Sequence, residues 1–430
     1  MSNNKQSHEM SRRSAIKSLG LAAAAAAVPA SLSYAVSAQT AVGHDSGSLP
    51  APGKSANPKW YGFNLLEYFS TDPDWMKYFP YKDDGLFRED DFRWIRDWGF
   101  NWVRLPMDYR FWTDPQDLLK IQEEKVTPID RAIKLGEKYG VHVNICLHRA
   151  PGYCILDMMD ESVTGIHVTK EKSSLFVDRK MLDAFVYQWG YFAGRYKGIT
   201  SEKLSFNLVN EPLIMPSTAE IEQLKKAGKF SPAEIFNPEI IQRHAGDYTR
   251  VARAAISEIR KQDSQRLVVT DGYVAGTAVI PDLFSTGVTQ SCHTYHPMQV
   301  THYRCEWARG MLSDKTPPPT WPTRDAQGAL IDRAALARTF APWGEPGSRG
   351  VPIHFGEMGC YKHTPPEVVL AWFDDTLSVI GDLHSGWALW NFRGPFGVLD
   401  TERAGTKFEH WHHHKLDRQL LSLLQRKMQG

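Results

Sequence analysis

Residues 203–214 read "KLSFNLVNEPLI". The stretch begins as a buried strand: Leu204, Phe206 and Leu208 are apolar, and Val209 extends the run. Asn210, Glu211 and Pro212 then end it abruptly. A carboxylate beside an amide and a proline, at the tip of an apolar strand, is partly desolvated and costly to hold there. The segments on either side explain why a glutamate stands at that point.

Seven other runs resemble this strand, giving eight in all: residues 60–66, 100–106, 141–148, 204–209, 266–272, 288–296, 351–357 and 386–392. Between them lie helical patterns such as "IDRAIKLGEKYG" and "MLDAFVYQWGYFAGRYKG". In residues 239–262, Ile240, Ile241, Val251, Ala254, Ile256 and Ile259 recur at helical spacing. Continuous apolar strands joined by helices imply a parallel sheet. Eight such units, with no G-x-G-x-x-G after the first strand, predict an α/β fold: a single (β/α)8 TIM barrel over residues 58–430. The segments after the strands then gather at the C-terminal mouth, where such barrels keep their chemistry. Four of them are long: 149–180, 212–237, 297–332 and 393–412. Loops of that length inside a compact domain are usually functional.

The strand ends deliver Arg104, His148, Asn210, Glu211, His293, Tyr295, Glu357 and Trp390 to that mouth. Two glutamates from different strands, among Arg, His, Tyr, Asn and Trp, match what glycosidic hydrolysis needs. One carboxyl donates a proton to the leaving oxygen while the other attacks the anomeric carbon. The two must hold different protonation states at one pH, so their neighbours must enforce the difference.

The ordered set "NWVRLP", "CLHRAPG", "LVNEP", "CHTYHP", "HFGEMG" and "WALWNFRG" resembles glycoside hydrolase family 5, the cellulase-like retaining enzymes on a (β/α)8 barrel. The resemblance runs from about Trp60 to the C-terminus. It implies Glu211 as acid/base and Glu357 as nucleophile. Asn210 would bond the sugar 2-hydroxyl, Arg104 and Tyr295 would sit against the nucleophile, and His293 would contact the acid/base. His148 would line the reactive subsite, with Trp390 as the sugar platform. No cofactor and no metal is implied. The partner is a β-linked oligo- or polysaccharide, glucan-like or, alternatively, mannan or another glycoside. The first strand, "GFNLLEYF", departs from the family's glycine- and tryptophan-containing version and puts Glu67 and Tyr68 there, Glu67 as a hydrogen-bond acceptor for a terminal sugar. With four long loops and the proline-rich "TPPPTWP", this predicts a pocket or blind-ended cleft favouring chain ends or short oligosaccharides.

Other readings have less behind them. His142, His148, His293 and His296 suggest a metal-dependent hydrolase, but the first strand has no HxH pair, and a catalytic zinc wants three protein ligands and a water. A non-catalytic carbohydrate-binding barrel would lack one of the carboxylates. "HWHHHK" (410–415) lacks the acids and spacing of a catalytic zinc motif and reads as a solvated histidine cluster. Trp75, Trp307 and Trp321 fall in loop-like segments as further sugar platforms, whereas Trp94, Trp98 and Trp189 follow helical patterns into the core.

The N-terminus has paired arginines (Arg12, Arg13), a modest apolar run from Leu19 to Val28, and Val36-Ser37-Ala38 as a small-x-small cleavage site. Residues 1–38 thus read as a twin-arginine signal, too short in its apolar run to anchor in a bilayer, and predict a periplasmic or extracellular enzyme. Residues 39–57 read as a flexible linker. The chain carries a net charge of +1; without residues 1–38 it has 46 cations against 48 acids. That balance points to no nucleic-acid partner and no anionic membrane. Five cysteines leave at least one unpaired and allow a single disulfide that spacing does not identify.

Overall fold

The eight apolar runs become eight parallel strands in the computed structural model, which describes residues 59–79, 87–158, 161, 166–228, 238–308 and 316–429. They are β1 (Tyr61–Asn64), β2 (Trp102–Asp108), β3 (His142–Ala150), β4 (Leu204–Asn207), β5 (Leu267–Asp271), β6 (Thr289–Thr294), β7 (Ile353–Met358) and β8 (Gly386–Leu389). Neighbouring strands pair in the order β2-β1-β8-β7-β6-β5-β4-β3, and β2 pairs again with β3, so the sheet closes. The signal and linker segments predicted at 1–38 and 39–57 lie outside the described residues.

Among the described residues seven helices cover the outside: α1 (Glu89–Asp97), α2 (Glu123–Tyr139), α3 (Arg179–Arg195), α4 (Pro238–Gln262), α5 (Arg333–Phe340), α6 (Pro366–Asp382) and α7 (Arg418–Met428). Each buries one stripe. In α6 it is Val368, Val369, Trp372, Phe373, Leu377 and Ile380, spaced to face the barrel. Between β5 and β6 the long covering helix is replaced by a 3-10 segment, Pro281–Thr286, because that connection is short and a proline opens it. The strands are buried on both faces, all seven residues of β2 and all nine of β3, as a barrel between core and helices requires.

Two glycines fix details that the site depends on. At Gly62 a Cβ would lie 1.7 Å from the Trp102 carbonyl oxygen, so only glycine lets β1 approach β2 this closely. At Gly356 the pairing of β7 with β6 slips: Phe355 faces Cys292, but Glu357 faces His293. Gly356 is therefore an extra residue, a β-bulge, and bulges re-aim the side chain that follows. Phe355 packs outward on Phe340 and Trp343. In a regular strand Glu357 would point the same way, but after the bulge it points into the mouth, onto Arg104.

The histidine cluster forms a small ribbon. Glu409–Trp411 pairs with His414–Leu416, and His412 and His413, with φ of 44° and 71°, make its two-residue turn. His414 Nδ1 lies 2.6 Å from Asp400, and His412 stacks on Trp94. All five cysteines are free and buried, so the disulfide that the sequence allowed is not formed.

Candidate active site

The backbone at Glu211 answers the question raised by its sequence. Its φ is +47°, a left-handed conformation that a non-glycine residue holds only when its surroundings enforce it. They do so from both sides. The Glu211 N–H donates to Asp271 Oδ2 at 3.0 Å, and its carbonyl accepts from the Tyr153 hydroxyl at 2.6 Å. The next segment is pinned too, with Leu213 N–H on Tyr153 and Ile214 N–H on the Tyr273 hydroxyl. The turn thus swings the Glu211 side chain out of line with β4 and over the mouth.

Glu357 meets it from β7. Arg104, at the centre of β2, is 1% exposed and donates from Nη1 to Glu357 Oε1 at 2.5 Å. Tyr295 donates its hydroxyl to the other oxygen, Oε2, at 3.1 Å. The remaining Arg104 donors go to Asn64 (3.0 Å), Asn207 (2.8 Å) and Asn210 (2.7 Å), which fixes the guanidinium as a rigid fork. His293 stands between the glutamates, its Nδ1 3.1 Å from Glu211 and 3.6 Å from Glu357, its Nε2 3.2 Å from Asp271. One oxygen of each glutamate and a nitrogen of His293 lie within 4.8 Å of one another.

The two carboxyls differ in their surroundings. Burial pushes the Glu357 carboxyl above the ordinary glutamate range, against the pull of the His293 and Arg104 cations. If Glu357 carries the chemistry, the acid limb of kcat/KM is expected above the titration of a free glutamate, and a limb at or below it would refute that role. Glu211 is the more open of the two, its side chain 17% exposed against 4%. Burial would lower the His293 pKa, but Asp271 and Glu357 outweigh it and raise it to about 10, so this histidine is an imidazolium at neutral pH. His148 has the opposite fate. Burial, then Arg104 and His293, hold it well below its ordinary value and keep it neutral.

The His293 shift makes a stability prediction. Its folded pKa lies above the unfolded value of about 6.5, so its contribution is complete below that pH and is lost as pH rises through about 10. Urea midpoints are expected to fall between pH 7 and 10, and to fall less in His293→Gln. Equal slopes for the two proteins would refute the pairing.

Most of the residues predicted for the mouth converge. His148, 4% exposed, and Trp390, 6% exposed, lie ring against ring at 5.7 Å. Among the described residues Asn210 Nδ2 and His148 Nδ1 find no partner, which leaves both free for a ligand's hydroxyls. Glu67 has a different electrostatic setting. It is buried with Arg393 and Arg88 as its charge neighbours, and burial raises its pKa to about 7. Trp321 donates its indole N–H to Asp375 on α6, on the barrel's flank. Trp75 is buried among other rings. Asp271 is the residue that sequence reasoning missed. It holds Glu211, His293 and Arg104 together, and the signal was there in "VVTDG", an acid at the end of an apolar strand.

The donor set disfavours a metal. Glu211, His293 and Glu357 are close enough to surround an ion, but a protonated imidazole has no lone pair to give, and Arg104 already occupies Glu357. His142 and His148 lie at opposite ends of β3, roughly 20 Å apart along the strand. His142 stacks on Trp60 and bonds Ser205.

The profile of the cellulase family (glycosyl hydrolase family 5) matches residues 54–394. Among proteins similar to this chain, Endoglucanase C of Acetivibrio thermocellus is 21% identical, over 74% of this chain and 88% of its own. Cellodextrinase A of Ruminococcus flavefaciens is 22% identical, over 70% of this chain and 77% of its own. A solved glycoside hydrolase superposes with a TM-score of 0.71 at 32% identity, covering 86% of this chain and 99% of that one. Thermotoga maritima Cel5A, in complex with a mannotriose substrate, shares the fold with a TM-score of 0.58 at 19% identity, covering 85% of this chain and 97% of that one. The profile spans all eight strands and both glutamates, and the chain therefore belongs to glycosyl hydrolase family 5, a family of glycosidases that cleave β-linked sugars with retention.

Proposed function

We propose that this enzyme cleaves β-linked glucans by double displacement, with Glu357 as nucleophile and Glu211 as acid/base. The observation that carries the mechanism is the approach of the two glutamates, an oxygen of each within 4.8 Å. Retaining enzymes hold their carboxyls about 5–5.5 Å apart, and inverting ones about 6.5–9.5 Å to admit a water.

In the first step Glu357 forms a bond to the anomeric carbon as the glycosidic bond breaks, and the Glu211 proton passes to the departing oxygen. In the second, water attacks the same carbon. Its hydroxyl stays on the sugar, its proton goes to Glu211, and Glu357 is released as a carboxylate. Arg104 and Tyr295 hold the attacking oxygens in place, and His293 orients Glu211. Asn210 Nδ2 is the donor for the sugar 2-hydroxyl, His148 Nδ1 serves a second hydroxyl, and the Trp390 indole supports the ring's apolar face.

The glucan assignment draws on relatives named as an endoglucanase and a cellodextrinase. A mannan is the second reading, after the Thermotoga maritima neighbour's mannotriose complex. The twin arginines and cleavage site at residues 12–38 support export as a folded enzyme to the periplasm or beyond. Proton NMR of a β-glycoside digest should show the β-anomer first, followed by mutarotation. The α-anomer first would sink the mechanism.

A further inference from the structure

The rings around Trp390 do not fill the barrel; they form a wall on its rim. A second apolar cluster, separate from the main core, joins residues from the loops after β1, β3, β6, β7 and β8. It can be followed from ring to ring. His148, near the end of β3, meets Phe69 at 4.6 Å, and Phe69 meets Trp390 at 5.2 Å. Phe79, from the same loop as Phe69, also touches Trp390 and lies 5.7 Å from Trp307 of the β6 loop. Trp307 continues to Phe396 of the β8 loop, and Phe396 to Tyr295, whose hydroxyl holds Glu357. Phe79 and Phe396 are each 1% exposed, so the wall is packed. Tyr361 braces it from behind, bonded through its hydroxyl to Glu306.

The position of this arc within the barrel gives it a direction. It runs from β3 past β1 and β8 to β6, leaving the β4–β5 side as its gap, and Glu211 stands there. Since β4 and β8 are four strands apart in a ring of eight, Glu211 and Trp390 face each other across the mouth. A sugar on Trp390 with its anomeric carbon at Glu357 presents its leaving group toward Glu211, because that is where the proton comes from. Its non-reducing end then points the other way, into the wall.

We infer that the aromatic wall closes the cleft behind a single sugar, so that the enzyme removes one monosaccharide at a time from the non-reducing end of a β-linked chain. This rests on the double-displacement reading above and adds the direction of the blockage and the residues that cause it. The bond broken is the one between the terminal sugar's anomeric carbon and its glycosidic oxygen, and water supplies the hydroxyl that replaces it. The leaving chain, of whatever length, extends through the gap at Glu211.

Nitrophenyl β-glycosides of one and of two sugars, in the gluco, manno and xylo series, test both levels. A closed wall predicts direct nitrophenol release from the monoside. On the bioside it predicts that the bond between the sugars is cut first, giving monosaccharide and nitrophenyl monoside. Nitrophenol released together with intact disaccharide would need a second sugar behind the first, and would overturn the wall while leaving the hydrolase reading intact. No turnover of any glycoside in any series would overturn the hydrolase reading, and the wall with it. Phe79→Ala and Trp307→Ala are expected to raise the ratio of disaccharide to monosaccharide released from the turned-over bioside at least tenfold. That ratio is read within one sample, so a loss of folded protein does not move it, and an unchanged ratio in both variants would overturn the assignment of the wall.

Discussion

Glu357→Ala is expected to lower turnover by on the order of 10⁴-fold or more on every substrate, aryl glycosides with good leaving groups included. The reason lies in what the residue does. Without a carboxylate at this position the anomeric carbon has no nucleophile on its far face, and no leaving group, however acidic, replaces one. Arg104 and His293 would then face a cavity with one anion fewer, and the variant should bind small anions there. Added formate or azide attacking from that side would give a glycosyl product of inverted configuration. Turnover of a good aryl glycoside within tenfold of wild type would show that another group attacks.

Glu211→Ala should behave differently. Loss of a general acid typically costs about 10²–10⁴-fold where the leaving oxygen needs a proton. A dinitrophenyl glycoside does not need one, so it should still glycosylate Glu357, and the intermediate should accumulate for want of a base to activate water. A burst of phenolate should precede slow turnover, and azide should speed release and give a β-glycosyl azide. If the two variants respond alike to leaving-group acidity, the roles of Glu211 and Glu357 are wrongly divided.

The sequence made the barrel legible because its strands are apolar on both faces, a pattern that survives without knowledge of tertiary contacts. The two glutamates of the mouth were legible for a related reason: charged groups at the tips of apolar strands have few structural uses. What stayed hidden is what acts on other residues. Asp271 was obscured because its bonds run to Glu211, His293 and Arg104, from three other strands, and no spacing in one chain segment encodes them. The setting of Glu67 was hidden as well: burial raises its pKa, and the charges of Arg393 and Arg88, which offset part of that, come from other segments. Asn64 and Asn207 lie inside apolar runs with nothing local to mark them, although both hold the Arg104 guanidinium. The replacement of one covering helix by a 3-10 turn follows from the short connection at residues 272–288, a feature of length more than of pattern.

The bulge at Gly356 implies that the direction of the Glu357 carboxylate is set by counting. Phe355 and Glu357 face opposite ways only because one surplus residue lies between them. A residue inserted opposite it, between Cys292 and His293, would remove the bulge, restore the alternation and turn the carboxylate toward the helices, silencing the chemistry with every catalytic letter still in the chain. A barrel of this kind could lose its reaction through a single codon and keep its sugar-binding rings, and a search for its motifs would still score it as an enzyme. Among relatives of this chain, the spacing of "HFGEMG" against the strand before it is therefore as informative as the glutamate itself.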